Sequence, residues 1–215
     1  MIRSKPFIAA ILLAAALPAW AADPSTALPP DQVVQQSAKS LLTEVSAKRD
    51  ELKAHPEQLY DLAQKDLLPY FDFDYASRLV LGQAWRNATS EQRKAFQDAF
   101  VKYLVHSYAD GLLKGNYSDR DLEVTPWNGQ ITDNRTAVKT KVLRANAQPV
   151  EVDYQMHNTP HGWKAFDVTI EGISYVLNYR NQFGPEIQAK GLEELIKRLN
   201  AESSQPPAQQ SGSQG

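Results

Sequence analysis

Histidines and aspartates are the residues of this chain that could do chemistry. His157 and His161 flank a predicted hairpin turn in "HNTPH", where a metal ion would still lack a third ligand and a rigid geometry. Asp72 and Asp74 in "YFDFDYASR" have the spacing of a carboxylate pair for acid–base work. Capping of a short helix explains both aspartates more simply. We therefore predict no metal site and no catalytic residue.

Arg180 has two interpretations. It could form a buried ion pair with Asp167 or Glu171, which would lock a strand to the following helix, or it could bind a polar headgroup at the mouth of a pocket. The first is favoured for an arginine so close to its own strand–helix corner. No nucleophile elbow, phosphate loop or Ser/His/Asp signature stands out elsewhere in the sequence.

Residues 1–21 have the pattern of a secretory signal peptide, and residues 22–30 that of a linker. Arg3 and Lys5 precede an apolar run, and the small residues around Trp20 form a cleavage site. Cleavage removes two cations and changes the formal charge from −2 to −4, which argues against binding nucleic acid or anionic membranes by charge alone. Because the chain has no cysteine, its hydrophobic core must hold the exported fold together.

The first half of the remaining chain has helical periodicity. Apolar spacing predicts helices over about 31–54 and 57–68, and a short helix capped by Asp74 and ending at Gly82. The segment "TSEQRKAF" then opens a long amphipathic helix, capped by Ser90 or Thr89, that ends at Gly115.

The second half alternates apolar and polar residues, which predicts four strands of an antiparallel meander. Lys139, Lys141, Glu151 and Asp153 occupy the solvated face as cross-strand charge pairs. By parity, the inward positions are Leu122, Val124, Val138, Thr140, Val142, Val150, Val152, Tyr154, Met156, Phe166, Val168 and Ile170.

A sharp turn at Glu171-Gly172 follows the last strand. Ser174 can cap the next helix, which Gly184-Pro185 should break before a final amphipathic helix. The turn should fold this helix pair back across the apolar face of the sheet. We predict one domain over 31–201 and a disordered tail over 202–215, which lacks apolar residues.

Three classes of protein remain open on these grounds. An enzyme would need an inward carboxylate or histidine, and the inward positions above include neither. An adaptor would use the same residues as a solid core, which amphipathic stripes usually form. A binding protein would keep an apolar cavity between the sheet and the helices.

The motifs together resemble the MlaC family, also called toluene-tolerance auxiliary proteins. They are "PYFDFDYASRLVLGQAWRNATSEQRKAFQDAFVKYLVHSY", "DVTIEGISYVLNYRNQF" and "GLEELIKRL", and the resemblance extends from about Gln32 to Leu199. It implies an α+β fold in which a bent, four-stranded antiparallel sheet, like that of nuclear-transport-factor-two-like domains, packs against a helical lobe and encloses an apolar cavity.

The resemblance also implies a function. Members of the family are periplasmic phospholipid carriers that work between an outer-membrane lipoprotein complex and an inner-membrane ABC transporter complex, and so maintain outer-membrane lipid asymmetry. No cofactor, no metal, no nucleic acid and no enzymatic activity are implied, and we expect a monomer. With Gly172 as hinge, the expected lipid-binding residues are Phe100, Tyr103, Leu104, Val142, Val152, Tyr154, Phe166, Val168, Ile170, Ile173 and Val176.

Overall fold

The computed structural model describes residues 28–115, 117–144 and 147–204. The predicted signal peptide and most of the predicted tail lie outside these residues. Within them, no helix has both the length and the apolar character that crossing a membrane requires.

Helices make up the first half of the described chain, as its periodicity predicts. The predicted first helix is interrupted at Lys48, and a short helix that was not predicted precedes the long one. The helices are α1 (Pro30–Ala47), α2 (Arg49–Ala54), α3 (Gln58–Asp66), α4 (Phe73–Leu81), α5 (Gln83–Asn87) and α6 (Ser90–Lys114).

Side-chain caps fix where α4 and α6 begin. Asp72 accepts a hydrogen bond from the Tyr75 amide and caps α4, so the assignment of this cap to Asp74 was wrong. At α6, Thr89 accepts from the Gln92 amide, and the Gln92 side chain accepts from the Thr89 amide. This capping box satisfies two amides that the helix leaves unpaired.

The second half forms an antiparallel sheet in the predicted meander order. It has five strands in the described chain instead of four, because Ile173 and Ser174 add a short strand to its edge. The strands are β1 (Leu122–Val124), β2 (Arg135–Arg144), β3 (Ala147–Thr159), β4 (Gly162–Ile170) and β5 (Ile173–Ser174).

The register confirms the predicted faces over most of the sheet. Lys139 lies opposite Asp153 and Lys141 opposite Glu151, as expected for the solvated face. A bulge changes the pattern on β4, where Asp167 pairs with Gln155 but Ala165 pairs with Met156. The extra residue is Phe166, so strict alternation assigned it to the wrong face.

The corner after β4 is a two-residue reversal that leads through β5 into α7 (Tyr175–Lys190). Glu171 and Gly172 both have positive φ, 49° and 81°. Ser174 caps the helix by accepting from the Leu177 amide, as predicted. The chain therefore turns from strand to helix without a longer loop.

The predicted break at Gly184-Pro185 was wrong, because α7 continues through it and α8 (Leu192–Ser203) follows Gly191. A residue before proline usually avoids the helical conformation, because its Cβ clashes with the proline ring. Gly184 has no Cβ, so it can stay helical before Pro185. The Arg198 guanidinium of α8 also donates hydrogen bonds of 2.8–3.1 Å to the Glu186 carboxylate. The last helix extends two residues past the predicted domain end at 201.

The helix that covers the inner face of the sheet is α1. Val33 and Val34 pack with Val138, Met156 and Trp163 in one hydrophobic cluster. The α7–α8 pair packs instead with α4 and α6 around a separate aromatic cluster. The prediction that the last helix pair covers this face was therefore wrong, because the amphipathic α1 already occupies part of it.

Gly172 allows a direct test of the corner. A Cβ at Gly172 would meet no atom within 4 Å, so only its φ of 81° opposes a side chain. We expect Gly172→Ala to lower the free energy of unfolding by about 1–2 kcal/mol through left-handed backbone strain. Gly111→Ala in α6, where space is also open, should raise it by about 0.5–1 kcal/mol. Equal effects of the two substitutions in urea unfolding would contradict this account.

Candidate functional site

Five of the predicted lipid-binding residues share the inner face of the sheet. Val152 lies opposite Ile170, and Tyr154 lies opposite Val168. Val142 belongs to the same face, because β2 alternates and Thr140 lies opposite Val152. The sheet therefore brings these five side chains together as an apolar surface.

This surface is only partly covered. Val152 is buried, whereas Val142, Tyr154, Val168 and Ile170 are half-buried and keep accessible area. Burial nevertheless raises the pKa of the Tyr154 phenol to about 12. The buried Thr140 hydroxyl donates to the Val152 carbonyl, 2.7 Å away, and adds no free polar group.

Helix α6 has three sides, set by its rotation of about 100° per residue. Phe100 and Tyr103 point into the aromatic cluster shared with α7 and α8. Ala109 and Leu113 point into the cluster shared with α1, α2 and α3. The third side carries Tyr108 and lies between these clusters, with the half-buried Leu104 at its edge.

Three predicted residues lie away from the inner face. Phe100 and Tyr103 are buried in the aromatic cluster, where both rings contact Tyr179 at 5.0 and 6.0 Å between centroids. Phe166, at the bulge, contacts Tyr75 and His157 on the opposite side of the sheet. Phe100 and Tyr103 therefore belong to the core of the helical lobe. The position of Phe166 corrects the parity prediction.

Strand β5 and the first turn of α7 each carry an apolar side chain that its neighbours do not cover. Ile173 of β5 is 60% exposed, and Leu177 of α7 is 55% exposed. Val176, between them in sequence, is half-buried against the aromatic cluster. Ile173 therefore lies next to Ile170, its pairing partner in the sheet, whereas Val176 faces the aromatic cluster.

Asp167 anchors this corner. Its carboxylate accepts hydrogen bonds from the Ser174 hydroxyl and from the Val176 amide, the latter at 2.9 Å. Arg180 is exposed, and its guanidinium packs beside Gly82. The favoured ion pair of Arg180 with Asp167 or Glu171 was therefore wrong. The start of α7 uses the Asp167 carboxylate, and the Glu171 carboxylate accepts from the Glu151 amide.

We expect Asp167→Ala to destabilise the protein strongly for a single polar residue. The side chain is 8% exposed and accepts two hydrogen bonds, so its loss should cost about 2 kcal/mol or more of unfolding free energy. Asp98→Ala, which removes only an exposed pair with Lys94, should change it by less than about 0.5 kcal/mol. Similar urea midpoints for the two variants would contradict the anchoring role.

Sequence reasoning missed a polar and aromatic cluster between α4 and the sheet. His157 Nε2 lies 3.0 Å from an Asp72 carboxylate oxygen, and the His157 ring stacks on Tyr75. Arg135 donates to the Tyr75 hydroxyl and lies over the Phe166 ring. Asp72 and His157 are 85 positions apart in the sequence, so local spacing gave no signal. The cluster ties α4 to β2, β3 and β4.

A second concave region, of about 410 Å³, lies beside the charged face of the sheet. Its lining includes the polar side chains of Asn128, Gln130, Lys139 and Gln155. Acyl chains would have to displace water from these amides and from a cation, which is unfavourable. The apolar inner face is the better candidate site.

Fold and site together define an α+β protein that presents an apolar, partly covered sheet face toward its helices. The MlaC protein family model matches residues 35–201. The chain belongs to the MlaC family.

Named relatives agree with this assignment. The intermembrane phospholipid transport system binding protein MlaC of Haemophilus influenzae is 26% identical over 180 residues, covering 82% of this chain and 83% of the relative. The toluene tolerance protein ttg2D of Pseudomonas putida is 30% identical over 163 residues, covering 75% and 74%. The phospholipid-binding protein from Ralstonia solanacearum, solved in complex with a phospholipid, superposes with a TM-score of 0.74 at 25% identity and covers 82% of this chain and 98% of its own.

Proposed function

We propose that this protein is a phospholipid carrier that holds acyl chains against the inner face of its sheet. The observation that carries the proposal is the shared apolar face of Val142, Val152, Tyr154, Val168 and Ile170, most of which is still accessible. Leu104 and the first turn of α7, with Ile173 and Val176, would complete the enclosure. Membership of a family whose relatives are named for phospholipid transport and binding supports this reading.

The physical need for such a carrier is large. Two acyl chains have roughly thirty methylene groups, and exposing them to water costs on the order of 20 kcal/mol at ~0.8 kcal/mol per methylene. A single phospholipid therefore does not cross water unaided at a useful rate. The free energy of transfer from a bilayer to an apolar pocket is much closer to zero, because the chains stay in apolar surroundings. The pocket therefore permits exchange without setting its direction. The protein acts by binding and is not an enzyme.

Its place and partners are proposed from its membership of the MlaC family. A signal peptide at residues 1–21 would deliver the chain to the periplasm. There it would shuttle phospholipid between the outer-membrane lipoprotein complex and the inner-membrane ABC transporter complex of the Mla system, as a monomer. Direction would come from those complexes, since an apolar pocket by itself permits exchange both ways.

Organic extraction of the purified protein tests the proposal. We expect phospholipid in a molar ratio near one or above by phosphate assay, with the lipid class identified by mass spectrometry. The extracted protein should then take up phospholipid from labelled vesicles and release it to unlabelled ones. Protein that neither contains phospholipid nor exchanges it would favour an adaptor with a solid core.

A further inference from the structure

The edge of the sheet is open at Ala137 of β2. On one side of Ala137, the Thr125 amide donates to the Lys139 carbonyl, 2.9 Å away. On the other side, Thr132 and Arg135 exchange two backbone hydrogen bonds of 2.9 Å. Alternate residues of an antiparallel strand turn their backbone groups to the same side, so the Ala137 N–H and C=O also face this edge. No described residue bonds to them there, and Ala137 is exposed.

The second concave region, of about 410 Å³, opens at this edge. Ala137 is part of its lining, together with Arg135, Lys139 and Gln155. The loop between β1 and β2 forms the opposite wall, from Thr125 to Thr132. A volume within the range of about 300–1,000 Å³ that holds organic ligands is larger than a single small ion needs.

The side chains of this region favour a negatively charged occupant, although the whole chain has a formal charge of −2. The lining includes two cations, Lys139 and Arg135, and no aspartate or glutamate. Lys139 forms no ion pair within the described chain, even with Asp153, which lies opposite it. The Arg135 guanidinium donates to the Tyr75 hydroxyl, which leaves further N–H donors for a ligand.

We propose that this region binds an extended acidic segment of a partner protein, which adds to the sheet edge at Ala137 and places a carboxylate against Lys139 and Arg135. A peptide backbone supplies both an acceptor for the Ala137 N–H and a donor for its C=O. An ionised phosphate group supplies acceptors and leaves the carbonyl without a donor. Ala137 and Lys139 are two residues apart and point to the same face, so acidic side chains of the added segment come beside the Lys139 ammonium.

The position of this region separates partner binding from lipid binding. Ala137, Lys139 and Gln155 belong to the charged face of the sheet, opposite the apolar inner face. A partner bound here would leave the inner face free. Phospholipid binding is not required for the contact, and the contact does not require bound phospholipid.

A short labelled peptide of alternating valine and aspartate tests the charge contact by fluorescence anisotropy. We expect Lys139→Gln to weaken binding about fivefold, as loss of one exposed charged contact should. Lys141→Gln is the matched control, because Lys141 is exposed on the same face of β2, lies 4.0 Å from Glu151 and is not part of the lining. It should bind the peptide as wild type does. With asparagine in place of aspartate in the peptide, Lys139→Gln should no longer differ from wild type.

Strand addition is tested on the peptide, which leaves the protein unchanged. Two versions carry N-methyl groups on alternate residues, and only one of them blocks the amides that face Ala137. That version should bind wild type about fivefold more weakly than the other.

Equal binding of the two methylated peptides would overturn the inference, and so would equal effects of Lys139→Gln and Lys141→Gln. Either result would indicate attraction by charge alone. Lys139-dependent binding to phosphatidylglycerol vesicles, with no binding of the peptide, would also overturn it and indicate a membrane surface. Phospholipid content should stay at the wild-type level in Lys139→Gln, so the extraction experiment tests the carrier function separately.

Discussion

Val152→Trp should abolish most phospholipid binding while leaving the protein folded. Val152 lies on β3 between Thr140 and Ile170, in the middle of the apolar inner face. An indole there would occupy space that we assign to the acyl chains. Forcing extra volume into a filled site costs about 1–3 kcal/mol, which corresponds to a loss of affinity of roughly fivefold to a hundredfold.

The control is a tryptophan on the opposite face of the same sheet. Lys141 is exposed and lies opposite Glu151, so Lys141→Trp adds the same side chain without entering the inner face. We expect wild-type phospholipid content for Lys141→Trp, and native circular dichroism for both variants. Full phospholipid content in a folded Val152→Trp would remove this face from consideration. Misfolding of Val152→Trp alone would indicate a solid core at this position.

Much of the architecture could be predicted from local patterns. The capping box at Thr89 and the cap at Ser174 are short-range hydrogen bonds between neighbouring residues, so their sequence signatures are direct. The charge pairs Lys139–Asp153 and Lys141–Glu151 follow from parity once the strands are aligned. Family resemblance supplied the fold class and the function, which periodicity alone left open.

The errors arose where a distant contact overrides a local rule. Phe166 is at a bulge, which alternation cannot show, and its ring packs on His157 and Tyr75 from other elements. Proline 185 remains inside α7 because Arg198 holds Glu186 from the next helix. Both residues obey ordinary rules, but their partners are not neighbours in the sequence.

The candidate site was predicted unevenly for the same reason. The sheet residues share a face because strand parity is rigid, and five of the six predicted there do so. On α6, apolar residues face two different clusters. Apolar character alone therefore could not show that Phe100 and Tyr103 are buried in the aromatic cluster, whereas Leu104 lies at its edge.

Removal of bound phospholipid should lower the melting temperature and loosen the start of α7. An empty, dry pocket of ~300 Å³ costs on the order of 7 kcal/mol at ~24 cal/mol per Å³, which is comparable with the whole stability of a domain. The delipidated protein therefore cannot keep an open pocket unchanged. The sheet is held in place by the hydrogen bonds between its strands and by packing with α1. We therefore expect the helices around the pocket to move on delipidation, and the sheet to stay in place.

The movable element that the structure favours is the first turn of α7, with Gly172 as its hinge. Ile173 and Leu177 are largely exposed, whereas Tyr179 and Phe183 are buried in the aromatic cluster. Amide exchange in the delipidated protein should therefore accelerate most at residues 173–177 and progressively less toward Phe183. Refilling with phospholipid should reverse both the exchange and the melting temperature, since a ligand that binds only the folded state stabilises it. Identical melting and exchange in the two forms would mean that the inner face is a closed core, and would count against both the hinge and the pocket.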